Sequence, residues 1–258
     1  MMLKVENLSK WFGGLRAVDS CSFTVRPETI TGLIGPNGAG KTTVFNLLTG
    51  FLRPDKGRVI FQNEDITGLP PYRIFRKGIA RTFQIPREFK EMTVLENLML
   101  VPWGQIGERL LYPFLRPGSV AQQERLIKAR AMGVLEFLGL ARLADEPAGS
   151  LSGGQKKLLE IGKTLMSEPK LVLLDEPGAG VNRTLLKSIA QSIERVCDEL
   201  GTTFLLIEHD MDFVMRLCNP VIVMSEGRKL VEGEPAEVQR NEEVLEAYLG
   251  GQYVAVDG

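Results

Sequence analysis

Two short stretches carry residues whose types and spacing could do chemistry. From Gly35 to Thr42 the chain reads GPNGAGKT, and from Leu171 to Pro177 it reads LVLLDEP. In the first, glycines at 35, 38 and 40 let backbone N–H groups wrap an anion, and an apolar helical pattern from about Lys41 adds the positive end of a helix at the same point. Lys41 can then reach β- and γ-phosphates, while the Thr42 hydroxyl can ligate Mg²⁺. Asn37, Ala39 and Thr43 belong to the same loop and helix start and are counted with it as nucleotide contacts. In the second stretch, four apolar residues read as a buried central strand ending in a pair of carboxylates. Asp175 is placed to hold Mg²⁺ through its water shell. Glu176 is placed to accept a proton from, or to orient, a water attacking a γ-phosphate. A nucleoside triphosphate is the expected ligand.

A third stretch repeats the physical design of the first. LSGGQ, Leu151 to Gln155, runs into the amphipathic KKLLEIGKTLM, so that Ser152, Gly153 and Gly154 present donors at a second helix N-terminus. One chain therefore carries two anion cradles.

The elements that must position these residues alternate in type. Short β-rich apolar runs at 3–5, 22–25, 30–34, 58–61, 171–174, 203–207 and 221–224 are separated by turns or helical patterns, the rhythm of an α/β domain. Between about Phe89 and Ala148 that rhythm stops. There Leu126, Ile127, Ala131, Val134, Leu135 and Leu138 recur at helical spacing, and PWGQIGERLLYPFLRPG, bracketed by prolines and glycines, reads as a surface excursion. The expected organisation is a sheet core from 1–88 and 149–258 with an inserted helical subdomain at 89–148. Near the end, Val238, Leu245 and Leu249 form one helical stripe.

Composition narrows the class. The chain has 258 residues, 44% of them hydrophobic, enough for a large core. A formal net charge of −1, from 31 basic and 32 acidic residues, gives no electrostatic reason to expect nucleic acid as a partner. Cys21, Cys197 and Cys218 lack metal-ligand spacing and are odd in number, which argues against a disulfide framework or a zinc site. MMLKVENLSK lacks an apolar signal core, and runs such as LVLL and FLLI are far shorter than a membrane span. Membrane contact is expected to go through a partner.

Phosphate loop, RTFQ, LSGGQ, acidic strand end and a histidine in LLIEHDM occur in this order, and together they resemble the ATP-binding-cassette ATPases. That resemblance implies the P-loop ATPase sheet core of that fold, with ATP and Mg²⁺ bound. It also implies a head-to-tail dimer in which each ATP lies between one chain's phosphate loop and the other's signature. Ser152 and Gly154 would donate to the γ-phosphate across the interface, with Gly153 and Gln155 beside them. Gln84 would contact Mg²⁺ and the attacking water, and His209, the only histidine in the chain, would act as the γ-phosphate switch. Phe12 stands where the family has an adenine-stacking tyrosine, with Trp11 the alternative, since strand alternation lets only one of the two face the base. Two departures stand out: Asn182 replaces the usual aspartate in PGAGVN, and Lys156 and Lys157 follow the signature where glutamine and arginine are common.

GIARTFQIPREFKEMTVLENLML, PGAGVN, IEHDMDFVM and EAYLG are similar to the subunits of importers for branched-chain and other hydrophobic amino acids. Implied partners are a second ATPase subunit, two membrane permeases docking near Gln84 and Glu88, and, indirectly, an external solute-binding protein. Nucleic acid is not among them. The implied location is the cytoplasmic face of the inner membrane. Urea and amide importers and the lipopolysaccharide exporter carry similar ATPases, so these remain alternatives. Soluble cassette ATPases usually have two cassettes or a long coiled insertion, and neither is present.

Overall fold

The computed structural model describes residues 1–82, 88–108 and 116–253, with side chains as far as residue 248. Gln84, part of the apolar excursion and the side chain of Leu249 lie outside the described residues. The chain forms two compact units, residues 1–84, 170–179 and 193–258 in one, and 85–169 and 180–192 in the other.

The first unit holds two sheets. Strands β1 (Leu3–Phe12), β2 (Leu15–Val25), β4 (Lys56–Phe61) and β5 (Glu64–Asp65) make an antiparallel sheet in the order β2-β1-β4-β5. The second sheet has the order β10-β9-β3-β8-β7-β6. It is built from β3 (Ile30–Ile34), β6 (Ile79–Arg81), β7 (Leu171–Asp175), β8 (Thr203–Ile207), β9 (Val221–Ser225) and β10 (Arg228–Gly233). All its pairings are parallel except β9 with β10. Every residue of β3, β7 and β8 is buried, as their continuous apolar sequences require of parallel strands covered on both faces. Helix α1 (Lys41–Leu48) buries Val44, Phe45, Leu47 and Leu48 in the cluster that also takes Leu33, Leu173, Leu205 and Ile207 from this sheet and Leu3, Val5, Val59 and Phe61 from the other. Each such fully buried aliphatic side chain contributes about 1.5–3 kcal/mol.

One consequence of the strand order fixes the site. β8 lies between β3 and β7, with Leu33 and Asp175 both opposite Ile207. The segments leaving β3, β7 and β8 therefore emerge side by side at the carboxyl edge of the sheet, the usual ligand edge of an open α/β sheet.

The second unit is larger than the expected insertion, because the signature helix joins it. Helices α3 (Val94–Met99), α4 (Pro117–Phe137) and α5 (Gly153–Met166) pack together. Gly162 of α5 lies so close to Leu138, Leu98 and Val134 that a Cβ there would sit 3.0–3.4 Å from them. The remaining helices are α2 (Pro71–Arg76) and α6 (Arg183–Leu200), followed by α7 (Met211–Leu217), α8 (Pro235–Arg240) and α9 (Glu242–Tyr253). Thr93 and Glu96 close a capping box at the start of α3. Ala131 and Leu135 on α4 and its C-cap Leu138 are buried as the helical spacing predicts, but Leu126 is exposed and Ile127, four residues before Ala131, is half-buried. The expected C-terminal stripe is also broken. Asn241 interrupts it and caps α9 through Val244 N, so Val244 is buried and Leu245 is not.

Candidate functional site

The phosphate loop begins where β3 ends. Gly40 is the N-cap of α1 with φ 95°, and a Cβ there would lie 2.4 Å from the carbonyl oxygen of Ala17, so both conformation and space demand glycine. No side chain caps α1, which leaves its first N–H groups for a ligand. The Lys41 ammonium, in a 6% exposed residue, donates to the carbonyl oxygens of Gly35 at 2.7 Å and Pro36 at 2.9 Å. Burial holds its pKa below the ordinary lysine value, against the opposing pull of the Glu176 charge.

Asp175 ends β7 in an ion pair that the sequence did not announce. Arg81, ending the neighbouring β6, donates to Asp175 Oδ2 at 2.6 Å and to Asn46 Oδ1 on α1 at 2.6 Å. Asp175 Oδ1 is buried and has no hydrogen-bond partner among the described residues. A buried carboxylate oxygen left open in this way fits a hydrated Mg²⁺; Thr42, in the first turn of α1, is exposed.

Glu176 follows in the left-handed region, φ 49°, a conformation that costs a non-glycine residue of order 1–3 kcal/mol. Its N–H is held by Ile207 O at 2.9 Å. Its Oε1 lies 3.1 Å from Nε2 of His209, which follows β8 and is 44% exposed; the contact calls for a proton on Nε2. Between the two backbones stands Glu208, 4% exposed, another residue the sequence did not single out. Burial, with the Glu176 charge adding to it, keeps its pKa above the ordinary glutamate value despite N–H bonds from Gly178, His209 and Asp210.

The phosphate loop, Lys41, Thr42, Glu176 and His209 line one cleft of about 630 Å³, together with Phe12, Arg16, Asn37 and Glu226, while Asp175 and Glu208, each next in sequence to a wall residue, do not line it. Phe12 is 47% exposed and on its wall. Trp11 instead has Lys56 5.6 Å from its ring, and its backbone N–H donates to Asp55 Oδ2 at 2.7 Å. Strand alternation therefore puts Phe12, and not Trp11, at the cleft.

The signature belongs to the other unit and is built differently. Ser152 caps α5, accepting from Gln155 N at 3.4 Å, while Gln155 Oε1 accepts from Ser152 N at 2.9 Å. Ser152 and Gly153 are exposed. Gly154 is buried, and a Cβ there would overlap Leu185 of α6, 1.4 Å from its Cδ2. Asn182 caps α6 through Leu185 N at 3.0 Å, a task asparagine does as well as aspartate. Lys156 pairs with Glu88 at 2.9 Å.

A phosphate loop, an acidic strand end and a paired glutamate and histidine on one carboxyl edge, with a capped glycine-rich helix start elsewhere in the chain, define the class of nucleotide-binding cassettes. The profile of the ABC transporter family matches residues 18–179, and the chain belongs to that family. A further profile, branched-chain amino acid ATP-binding cassette transporter, matches residues 228–254. The chain is 43% identical to the Archaeoglobus fulgidus protein named "Probable branched-chain amino acid transport ATP-binding protein LivG", covering 97% of this chain and 96% of that one. It is 40% identical to the high-affinity branched-chain amino acid transport ATP-binding protein LivG of Escherichia coli K12, over 96% and 98% of the two chains. A solved ATP-binding cassette of an ABC transporter in its ADP conformation is similar with a TM-score of 0.81 at 40% identity, covering 96% of this chain and 98% of that one.

Proposed function

We propose that this chain is the ATP-hydrolysing subunit of an importer for branched-chain or other hydrophobic amino acids. The observation that carries hydrolysis is the Glu176–His209 contact of 3.1 Å on the wall of the cleft that the phosphate loop lines. Lys41 exchanges its two loop carbonyls for β- and γ-phosphate oxygens, and the uncapped first turn of α1 donates N–H groups beside it. Phe12 stacks on the adenine. Glu176 orients the attacking water and takes its proton, while His209 Nε2–H passes from Glu176 to the γ-phosphate. Gln84 reaches the same water from the segment before the helical unit. Asp175, Thr42 and Gln84 would hold Mg²⁺, which would supply charge neutralisation at the phosphate oxygens.

Two copies act head to tail. The Ser152 hydroxyl accepts within its cap and still has its own proton to donate, and with the Gly153 and Gly154 N–H groups it receives the γ-phosphate of the opposite copy. No described helix is long and apolar enough to cross a membrane, so the reading places the chain peripherally on permease subunits at the cytoplasmic face, with an external solute-binding protein upstream. The similarity to branched-chain amino acid transport ATP-binding proteins supports that solute class.

The test separates water activation from clamping. Glu176→Gln is expected to lower ATP turnover by roughly 10²–10⁴-fold and to shift the chain to a dimer in sedimentation velocity with ATP but not with ADP. Added Ser152→Arg is expected to abolish that dimer. Undiminished turnover in Glu176→Gln, or a dimer equally stable with ADP, overturns the reading. ATP-driven uptake of leucine rather than urea, with the permeases in proteoliposomes, tests the solute.

A further inference from the structure

Glu208 has no place in the mechanism above, yet it is one of the few carboxylates buried in the first unit. It sits between the last residue of β8 and the histidine. Oε1 accepts from the N–H of Gly178 at 2.5 Å, two residues beyond Glu176, and Oε2 accepts from the N–H of His209 at 3.0 Å. One carboxylate thus holds the turn that carries Glu176 and the turn that carries His209, with one oxygen for each.

That arrangement bears on two features that local sequence cannot stabilise. Glu176 occupies the left-handed region, which a glutamate enters only when its surroundings over-determine it. Its amide is pinned to Ile207 O on the strand side, and Glu208 pins the chain again on the far side, at Gly178. His209 meanwhile is 44% exposed and has little packing of its own to set its ring. The separation of the two reacting side chains is therefore set by their backbones, and the backbones are tied to the same side chain. A buried carboxylate with two or more N–H donors is rigid, because every bond to it is charge-assisted and shielded from water.

We propose that Glu208 is a positioning residue for ATP hydrolysis, its two oxygens fixing the turns of Glu176 and His209 so that the Glu176–His209 contact forms. The inference rests on the function proposed above, and the Glu176–His209 contact it concerns is made within the folded chain itself. Glu208→Gln keeps the volume, yet turns one acceptor into a donor that faces a backbone N–H. The pinned geometry loosens on one side. A displacement of about 1 Å at a reacting group is enough for a loss of order 10²-fold, so kcat falls on that scale while KM for ATP holds.

His209 being the only histidine, its imidazole gives a single set of NMR signals, and these read the contact directly in the nucleotide-free chain. In the wild type they are expected to report the Nε2–H tautomer. Glu176→Ala supplies the signals of the ring without its partner, and Glu208→Gln is expected to move the wild-type signals toward those of Glu176→Ala. His209→Ala combined with Glu208→Gln should lose less turnover than the product of the two single losses, since both act through one contact. Unchanged imidazole signals in Glu208→Gln overturn the proposal, as do fully multiplicative losses. If Glu208→Gln does not fold, Glu208→Asp retains the charge but is one methylene too short to span both N–H groups, and the same shift is expected. Failure of both to fold makes Glu208 a stability residue and also overturns the proposal. A wild type that shows the NMR shift but no ATP turnover would instead count against the function and leave the positioning intact.

Discussion

Helix α1 starts at Gly40 with no side chain on its first turn; α5 starts at Ser152 inside a closed capping box. Both stretches are glycine-rich and both point helix N-termini outward, but they leave different things undone. At α1 no side chain takes the first amides and the lysine is drawn into the loop, which suits the site to an anion. At α5 the box has used the Ser152 and Gln155 amides, and what remains outward is the two glycine amides and one hydroxyl proton. The glycines differ as well. Gly40 answers to a backbone angle as well as to the Ala17 carbonyl, whereas Gly154 answers only to a neighbour, Leu185, that leaves no space for a methyl group. The first cradle encloses a ligand of its own. The second is a finished helix end, which on the function proposed above meets only the edge of a ligand brought by another copy.

Lys41→Ala is the largest break to make in this contrast. The ammonium is buried, and charge-assisted bonds to two phosphates are worth about 3 kcal/mol or more, so ATP affinity in the free chain should fall by at least about 10²-fold. Fluorescent-nucleotide titration measures it, and an affinity close to wild type would show that the uncapped amides suffice. Gly154→Ala comes next. Displacing Leu185 should destabilise by about 1–2 kcal/mol, the overpacking cost less the helix-propensity gain of alanine over glycine. In a Leu185→Ala background the same change should become stabilising, as urea unfolding would reveal; an unchanged sign would mean that Gly154 is kept for its amide and not for space. Ser152→Ala is the mildest, about 1 kcal/mol from a lost N-cap, with ATP affinity of the free chain unaltered. If that affinity drops, the signature serves its own chain's nucleotide and the distinction between the cradles collapses.

The contiguous features were readable because each is complete within a few residues. A phosphate loop needs a strand, glycines and a helix start in one run, and the strand end Asp175-Glu176 declares itself after LVLL. β1 was legible only to Val5, although it continues to Phe12, since its outer half is polar and bulged against β2. Arg81 and Glu208 were missed for a different reason. Each gains its partner from sheet order, β6 beside β7 and β7 beside β8, which no local pattern encodes. That α5 packs with α3 and α4 was not legible, because it carries a sequence motif of one kind and a packing surface of another. Gln84 falls outside the described residues, so its role stands on resemblance alone.

The ammonium of Lys41, held by Gly35 and Pro36 carbonyls, makes the loop a cage closed around its own cation. A phosphate arriving there exchanges ligands on a charge already in position, and the chain has little left to order. Where folding rather than nucleotide orders the loop, its conformational entropy is spent ahead of binding. Encounter rate and desolvation, not rearrangement of the loop, then govern how fast this chain loads, and calorimetry of binding should register a heat-capacity change no larger than burial of the nucleotide itself requires.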